Sequence, residues 1–145
     1  MPYQVDIAVA APVWRPLTYT VADDLAPLLG PLTRVLAPLR GRSALGFALG
    51  PALRGDGAGL KPIQDVLDEP GRPVWPAGLL PFFQRAAAYY QAPLGQALAW
   101  ALPAGLGETK GAGRRGGPEL VAVAAWRPGA ADQAPKPGGQ AAELL

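Results

Sequence analysis

Short apolar runs fill the first half of the chain, and hydrophobic and polar residues alternate loosely within them. The alternation is cleanest in Leu17-Thr18-Tyr19-Thr20-Val21. Proline (18 residues) and glycine (19 residues) are both abundant and interrupt the runs. Alternation with such breaks is typical of short β-strands joined by turns. The pattern predicts five strands, over residues 3–10, 17–21, 33–39, 43–49 and 62–67.

Two connections between these strands have distinct compositions. Arg40-Gly41-Arg42 separates the third and fourth strands. It predicts a hairpin turn, because Gly41 can adopt a positive φ without steric cost. The glycine-rich stretch over residues 54–59 predicts a disordered loop before the fifth strand.

The period changes after Pro76, where apolar residues recur at helical spacing. Pro81 is compatible with a helix that begins just before it, since the first turn needs no N–H there. Pro93 disfavours helical backbone at the preceding residue and ends the helix. The apolar stripe of this helix consists of Leu79, Leu80, Phe83, Ala87 and Tyr90.

A second short helix is predicted over residues 94–102, because Pro103 follows it directly. We expect Tyr90 and Leu94 to face the core around the break between the two helices. The predicted fold is therefore mainly β (α+β): a small β-sheet or barrel-like domain with a two-helix C-terminal cap. Residues 1–106 form this domain, and residues 107–145 form a flexible Gly/Pro-rich linker towards a following domain.

The chain contains neither cysteine nor histidine. This excludes disulfides, a thiol nucleophile, histidine acid–base chemistry and the usual zinc sites. No apolar run is long enough to span a bilayer, and Met1–Asp6 lacks the basic start of a secretory signal. We therefore expect a cytoplasmic binding module. An enzyme or carrier domain for a small molecule remains an alternative, which paired acids in a deep pocket would support.

Positive charge is clustered although the net charge is only +2. The segment over residues 34–54 contains Arg34, Arg40, Arg42 and Arg54 and no acid, and Lys61 follows it. A basic face of this kind suits contacts to phosphates. Scattered arginines that keep the protein soluble explain the same pattern, and charge alone leaves both interpretations open.

Four segments have a distinctive sequence: VAAPVWRPLTYTV (9–21), RVLAPLRGRSALGFAL (34–49), LKPIQDVLDEP (60–70) and AAAYYQAPLGQALAWALPAGL (86–106). The last is the most specific, with Tyr-Tyr, then Pro-Leu-Gly, then Leu-Pro at fixed spacing. Together they resemble the N-terminal, 3′-DNA-end-binding domain of primosomal protein N′, the PriA replication-restart helicase. The resemblance covers roughly residues 3–106.

The resemblance implies a domain that binds stalled or branched replication forks and captures the 3′ end of the nascent leading strand. It implies forked DNA as partner, with single-stranded-DNA-binding protein and other primosome proteins as further partners, in the nucleoid region of the cytoplasm. No G-x-x-x-x-G-K-[ST] motif occurs here. We therefore expect ATP, Mg and Zn to be bound elsewhere in the helicase, and no cofactor, metal or catalytic site in this chain.

The resemblance also implies site residues. The family's aromatic–Asp–aromatic segment aligns with Leu17-Thr18-Tyr19, so Thr18 can bond a 3′-hydroxyl but cannot repel a phosphate by charge. Trp14, just upstream, is a candidate to replace Leu17 in stacking on the base. The family's hairpin glycine aligns with Gly41, and its lysine aligns with Lys61, a phosphate contact. Arg40 is an alternative match for the glycine, and Arg42 flanks it.

Two further interpretations of these residues stay open. The first helix is a candidate protein-docking surface, through Arg85 and Tyr89, for helicase lobes or the tail of single-stranded-DNA-binding protein. Judged without the family, Tyr19 is more simply a packing residue of its strand, Gly41 a turn former and Lys61 a solvated lysine. We expect the tryptophans to pack in or near the core, at positions 14, 75, 100 and 126.

Overall fold

The computed structural model describes residues 1–106, and its elements follow the predicted order. Six strands come first: β1 (Tyr3–Val9), β2 (Leu17–Val21), β3 (Arg34–Leu39), β4 (Arg42–Ala48), β5 (Leu53–Arg54) and β6 (Asp65–Val66). Two helices follow, α1 (Leu80–Tyr89) and α2 (Leu94–Ala101), with short 3₁₀ turns at Ala26–Leu28 and Ala77–Leu79. The predicted fold class is confirmed. The predicted linker, Trp126 and everything else after residue 106 lie outside the described residues.

All strands of the sheet pair antiparallel, in the order β2-β1-β4-β3-β6, and β5 pairs with β1. The sheet curls until its two ends approach each other. The backbone N–H of Thr20 in β2 donates to Lys61 O (3.0 Å), and Ile63 N–H donates to Thr20 O (2.9 Å). A few residues later β6 pairs with β3. Residues 61–66 therefore join both edges, which gives the barrel-like shape.

The turn between β3 and β4 is tighter than predicted. Leu39 pairs directly with Arg42, so the loop contains only Arg40 and Gly41. Their φ values are 49° and 76°, as a type I′ hairpin requires. Arg42 is the first residue of β4 rather than part of the turn.

The stretch predicted to be disordered is tied to the N-terminus, so that prediction is wrong. Arg54 lies in β5, its guanidinium covers the Tyr3 ring at 3.9 Å from the ring centroid, and its Nη1 donates to Met1 O (2.7 Å). Gly55 N–H donates to Pro2 O (3.0 Å). A two-residue strand carries too few side chains to show a period, so the sequence pattern did not reveal β5.

The C-terminal halves of β1 and β4 are buried on both faces. One face contributes to the core inside the curled sheet, which includes Val5, Ile7, Val9, Tyr19, Val35, Ile63 and Val66. The other face packs beneath the helices in a second cluster, formed by Leu32, Leu45, Phe47, Phe83 and Leu98. The helices thus form a second layer on one side of the sheet. Neither helix within residues 1–106 has the length and apolar character needed to cross a bilayer.

The buried stripe of α1 ends earlier than predicted. Phe83 and Ala87 are buried and Leu80 is half-buried, but Tyr90 is 76% exposed, so its predicted burial is wrong. The helix ends at Tyr89, Tyr90 is its C-cap residue, and Gln91 has a φ of 50°, so the helical stripe stops one residue short of Tyr90. Leu94 is half-buried at the start of α2, as expected for a residue that packs on the second cluster.

The tryptophans also differ from the prediction. Trp75 is half-buried and packs against Phe83, with ring centroids 5.2 Å apart. Trp14 is 67% exposed and Trp100 is 71% exposed, so neither is a core residue. Trp14 lies in the loop after β1, and Trp100 lies on the solvent side of α2.

Gly95 controls how closely α2 approaches the sheet. It is buried, and a Cβ added to it would collide with the carbonyl group of Val9 in β1. We predict that Gly95→Ala lowers the free energy of unfolding by about 3 kcal/mol, because a backbone carbonyl cannot move aside as a flexible side chain can. Urea unfolding monitored by circular dichroism measures the change. Gly78→Ala is the matched control, since nothing lies within 4 Å of its added Cβ. Equal stability of the two variants would contradict the prediction.

Candidate nucleic-acid interface

An open recess of about 410 Å³ lies where β2, the β3–β4 turn and the chain entering residue 61 meet. It brings together Leu17, Thr18 and Tyr19 with Arg40 and Lys61, all predicted from the sequence to belong to one site. Closure of the sheet explains the grouping, because Lys61 is held by its carbonyl against Thr20 of β2. Sequence reasoning missed the remaining lining residues, which are Pro16, Pro38, Leu39, Gly59 and Leu60.

Tyr19 lies at the inner side of this recess. Its side chain is only 4% exposed and belongs to the core inside the sheet. The Tyr19 hydroxyl donates a hydrogen bond to the carbonyl of Pro38 (3.0 Å), which ties β2 to β3. Burial raises the pKa of Tyr19 above its usual value of 10.0. Tyr19 therefore lines the recess as a fixed, uncharged packing residue.

Thr18 faces outward at the rim and is paired with a carboxylate. It is exposed, and its Oγ1 donates to Oδ1 of Asp6 at 2.7 Å. The two residues lie directly opposite each other in the β1–β2 register. Sequence reasoning missed Asp6, because only the register of the two strands brings it beside Thr18. A carboxylate thus lies beside Thr18, the residue that the resemblance aligns with an acid.

Positive charge lies on the other walls of the recess. Arg40, at the hairpin tip, and Lys61 are exposed, and no acid is present among the ten described residues that line the recess. Between these two cations, the lining consists mostly of the apolar residues Leu17, Pro38, Leu39 and Leu60. A cationic rim around an apolar surface suits a phosphate and the base attached to it.

The sequence profile of the 3′-DNA-binding domain (3′BD) of PriA matches residues 6–103. The chain belongs to this family. The match spans β2 to α2 and every residue of the recess. A comparison with curated proteins finds no match. The family describes a domain that binds DNA, so DNA is the partner of this PriA-type domain.

The hairpin residues of this PriA-type domain are not equivalent. Gly41 has the positive φ that its turn requires but does not line the recess, whereas Arg40 does. Arg42 is exposed on the first residue of β4 and also lies outside the lining. Of the two alternative matches to the family's hairpin position, Arg40 is the one that lines the recess.

Trp14 lies in a second, smaller recess rather than with Tyr19. This recess, of about 130 Å³, lies between the β1–β2 loop and the helices, and its walls include Trp14, Arg15, Gln84 and Leu94. Pro16 lines both recesses. Trp14 therefore does not line the first recess, although it is only three residues from Leu17 along the chain.

Arg85 and Tyr89 lie away from both recesses on the exposed side of α1. Tyr89 is 81% exposed, and its ring contacts that of Tyr90 edge to face, with centroids 5.0 Å apart. Arg85 is exposed one helical turn earlier. The predicted protein-docking pair is thus accessible and separate from the residues that line the two recesses.

Proposed function

We propose that this PriA-type domain binds branched DNA and holds an exposed 3′ end in the recess beside β2. The observation that carries the proposal is the convergence of Arg40, Lys61 and Thr18 on one recess of about 410 Å³, with Asp6 bound to Thr18 just outside its lining. This volume is typical of a small-ligand site and suits one nucleotide better than a duplex. The cations supply phosphate contacts, which give affinity without sequence readout.

Selection of a strand end follows from the Thr18–Asp6 pair beside this recess. A free 3′-hydroxyl can donate to the Asp6 carboxylate or to the oxygen of Thr18, whose own proton is already donated to Asp6. An internal nucleotide has a phosphate at this point, which the Asp6 carboxylate would repel. Asp6 thus supplies the negative charge that Thr18 lacks.

Membership of the PriA family supports a role for this DNA binding in replication restart. In the proposed role, the domain recognises the 3′ end of the nascent leading strand at a stalled fork, within an ATP-dependent replication-restart helicase. The domain supplies fork recognition for primosome assembly, and ATP hydrolysis belongs to the helicase lobes. No residue of the recess is assigned a catalytic step.

The choice of 3′ end provides the first test. We expect a fork whose leading-strand arm ends in a 3′-hydroxyl to bind about tenfold more tightly than the same fork with a 3′-phosphate, because the phosphate loses the charge-assisted hydrogen bond to Asp6 and is repelled by its carboxylate. Fluorescence anisotropy with labelled forks measures both affinities. Asp6→Asn, which keeps the shape and removes the charge, should narrow the ratio by improving binding of the phosphate end. Equal affinities of the wild-type chain for the two forks would contradict the proposal.

The cations of the recess provide a second test, through salt dependence. We expect Lys61→Gln to reduce the slope of log affinity against log salt concentration by about 0.7 to 0.9, the effect of one lost phosphate contact. Titrations between 50 and 200 mM salt, roughly the range over which such contacts matter, measure the slope. Arg72→Gln is the control, because Arg72 is exposed and pairs only with Glu69 in the same turn at 3.7 Å. The same slope for both variants would place Lys61 outside the DNA contact.

Exposure of the α1 face favours a second candidate function, docking of an acidic, apolar protein tail such as that of single-stranded-DNA-binding protein. Arg85 would pair with the acids, and Tyr89 would pack on the apolar residues. We expect Arg85→Glu or Tyr89→Ala to weaken binding of the tail peptide in a pulldown or anisotropy assay while fork binding is unchanged. Trp100→Ala, an exposed aromatic on α2, is the control. Peptide binding unaffected by either variant would exclude this face.

A further inference from the structure

Trp14 exposes a large aromatic surface to solvent, and hydrogen bonds and packing fix the backbone of the loop that carries it. In the loop before it, Ala11 N–H donates to Val9 O (2.8 Å), and Val13 N–H donates to Ala11 O (2.6 Å). Val13 packs against the core inside the sheet, and Pro12 and Pro16 restrict the backbone on either side. The ring therefore stands on an ordered loop, so a ligand that stacks on it pays little for ordering the backbone.

The second recess beside Trp14 offers groups of three kinds. Trp14 provides a π surface, Arg15 a guanidinium and Gln84 a side-chain amide, while Leu94 and the Cα of Gly95 form an apolar wall. No acid is present among the described residues that line it. Aromatic rings on which bases stack, next to a cation that contacts the backbone, are the usual components of single-strand binding sites.

The two recesses are close enough to be occupied by one strand. Pro16 lines both, and Trp14 is three residues from Leu17, a span of at most about 11 Å. Stacked nucleotides advance about 3.4 Å each along a strand. A base on Trp14 is therefore expected within about three nucleotides of one held beside Leu17.

We propose that Trp14 and Arg15 form a second nucleotide subsite, in which an unpaired base stacks on Trp14 and its phosphate contacts Arg15. The base belongs to the strand whose 3′ end occupies the first recess and lies two to four nucleotides from that end. The proposal rests on the function proposed for the first recess. It separates the two roles spatially: the first recess selects the end, and the second recess adds affinity for the unpaired strand that precedes it.

Binding of short single-stranded oligonucleotides with a 3′-hydroxyl to the full 145-residue chain tests the proposal. We expect Trp14→Ala to weaken binding roughly 5- to 150-fold, the range found for loss of one base–aromatic stack, and Trp14→Phe to retain most of the affinity. Trp100→Ala, which removes an equally exposed tryptophan from α2, should have no effect. Thermal unfolding confirms that each variant is folded, as expected for exposed positions.

Abasic sites at each of the last four positions of the oligonucleotide locate the stacked base. We expect the Trp14→Ala effect to disappear when the stacked base is missing, and this base should be the second, third or fourth from the 3′ end. The effect should persist when only the terminal base is missing. Three results would overturn the proposal: Trp14→Ala binding like Trp100→Ala, an effect that no abasic site removes, or an effect removed only by loss of the terminal base.

The wild-type chain separates failure of this proposal from failure of the proposed function. Preference for a 3′-hydroxyl over a 3′-phosphate, together with a silent Trp14→Ala, overturns the second subsite and leaves the first recess intact. If the wild-type chain shows no such preference but Trp14→Ala still has a base-dependent effect, end selection by the first recess is overturned. The stacked base can then no longer be assigned to a strand whose 3′ end is captured.

Discussion

The site depends on the backbone pairing through which residues 61–66 join the two edge strands of the sheet. Thr20 and the Lys61–Ile63 segment exchange two hydrogen bonds, and β6 then continues the pairing along β3. Lys61 is more than forty residues from Thr18 along the chain, and this closure is what brings the two residues together. The recess is thus a consequence of how a short strand is shared between two edges. Hydrogen bonding fixes the main chain of Lys61, so its charge stays near the rim although no side chain within residues 1–106 pairs with it.

The second constraint is the double burial of β1 and β4. Residues of β4 alternate between the two cores, with Leu45 and Phe47 under the helices and Ala48 inside the sheet. The absence of a side chain at Gly95 lets α2 pack closely against Val9 of β1. The loop that follows β1 therefore runs beside the start of α2. This is why Trp14 and Arg15 lie beside Leu94 and Gly95. The second recess follows from helix packing, whereas the first follows from sheet closure.

The sequence predicted what depends on local pattern and missed what depends on pairing. Alternation located β2 at its observed bounds, and the Pro93 break separated the helices correctly. Tyr90 fits the helical stripe, but the stripe cannot show that Gln91 ends the turn with a positive φ. Trp14 and Trp100 looked like core residues because residue type predicts average burial, not position on a face. The sequence pattern did not indicate that Asp6 lies beside Thr18, because only the strand register brings the two residues together.

Hydrogen bonding inside the first recess explains why the proposed recognition does not depend on sequence. The hydroxyl proton of Thr18 is donated to Asp6, and that of Tyr19 is donated to Pro38 O. Both hydroxyls are therefore engaged as donors within the protein, and the walls between them are leucine and proline side chains. Such a surface packs on any base but reads no pattern of donors and acceptors. In the proposed binding mode, Arg40 and Lys61 contact the phosphate and Asp6 accepts the free hydroxyl, so recognition depends on the polarity of the nucleotide and not on its base.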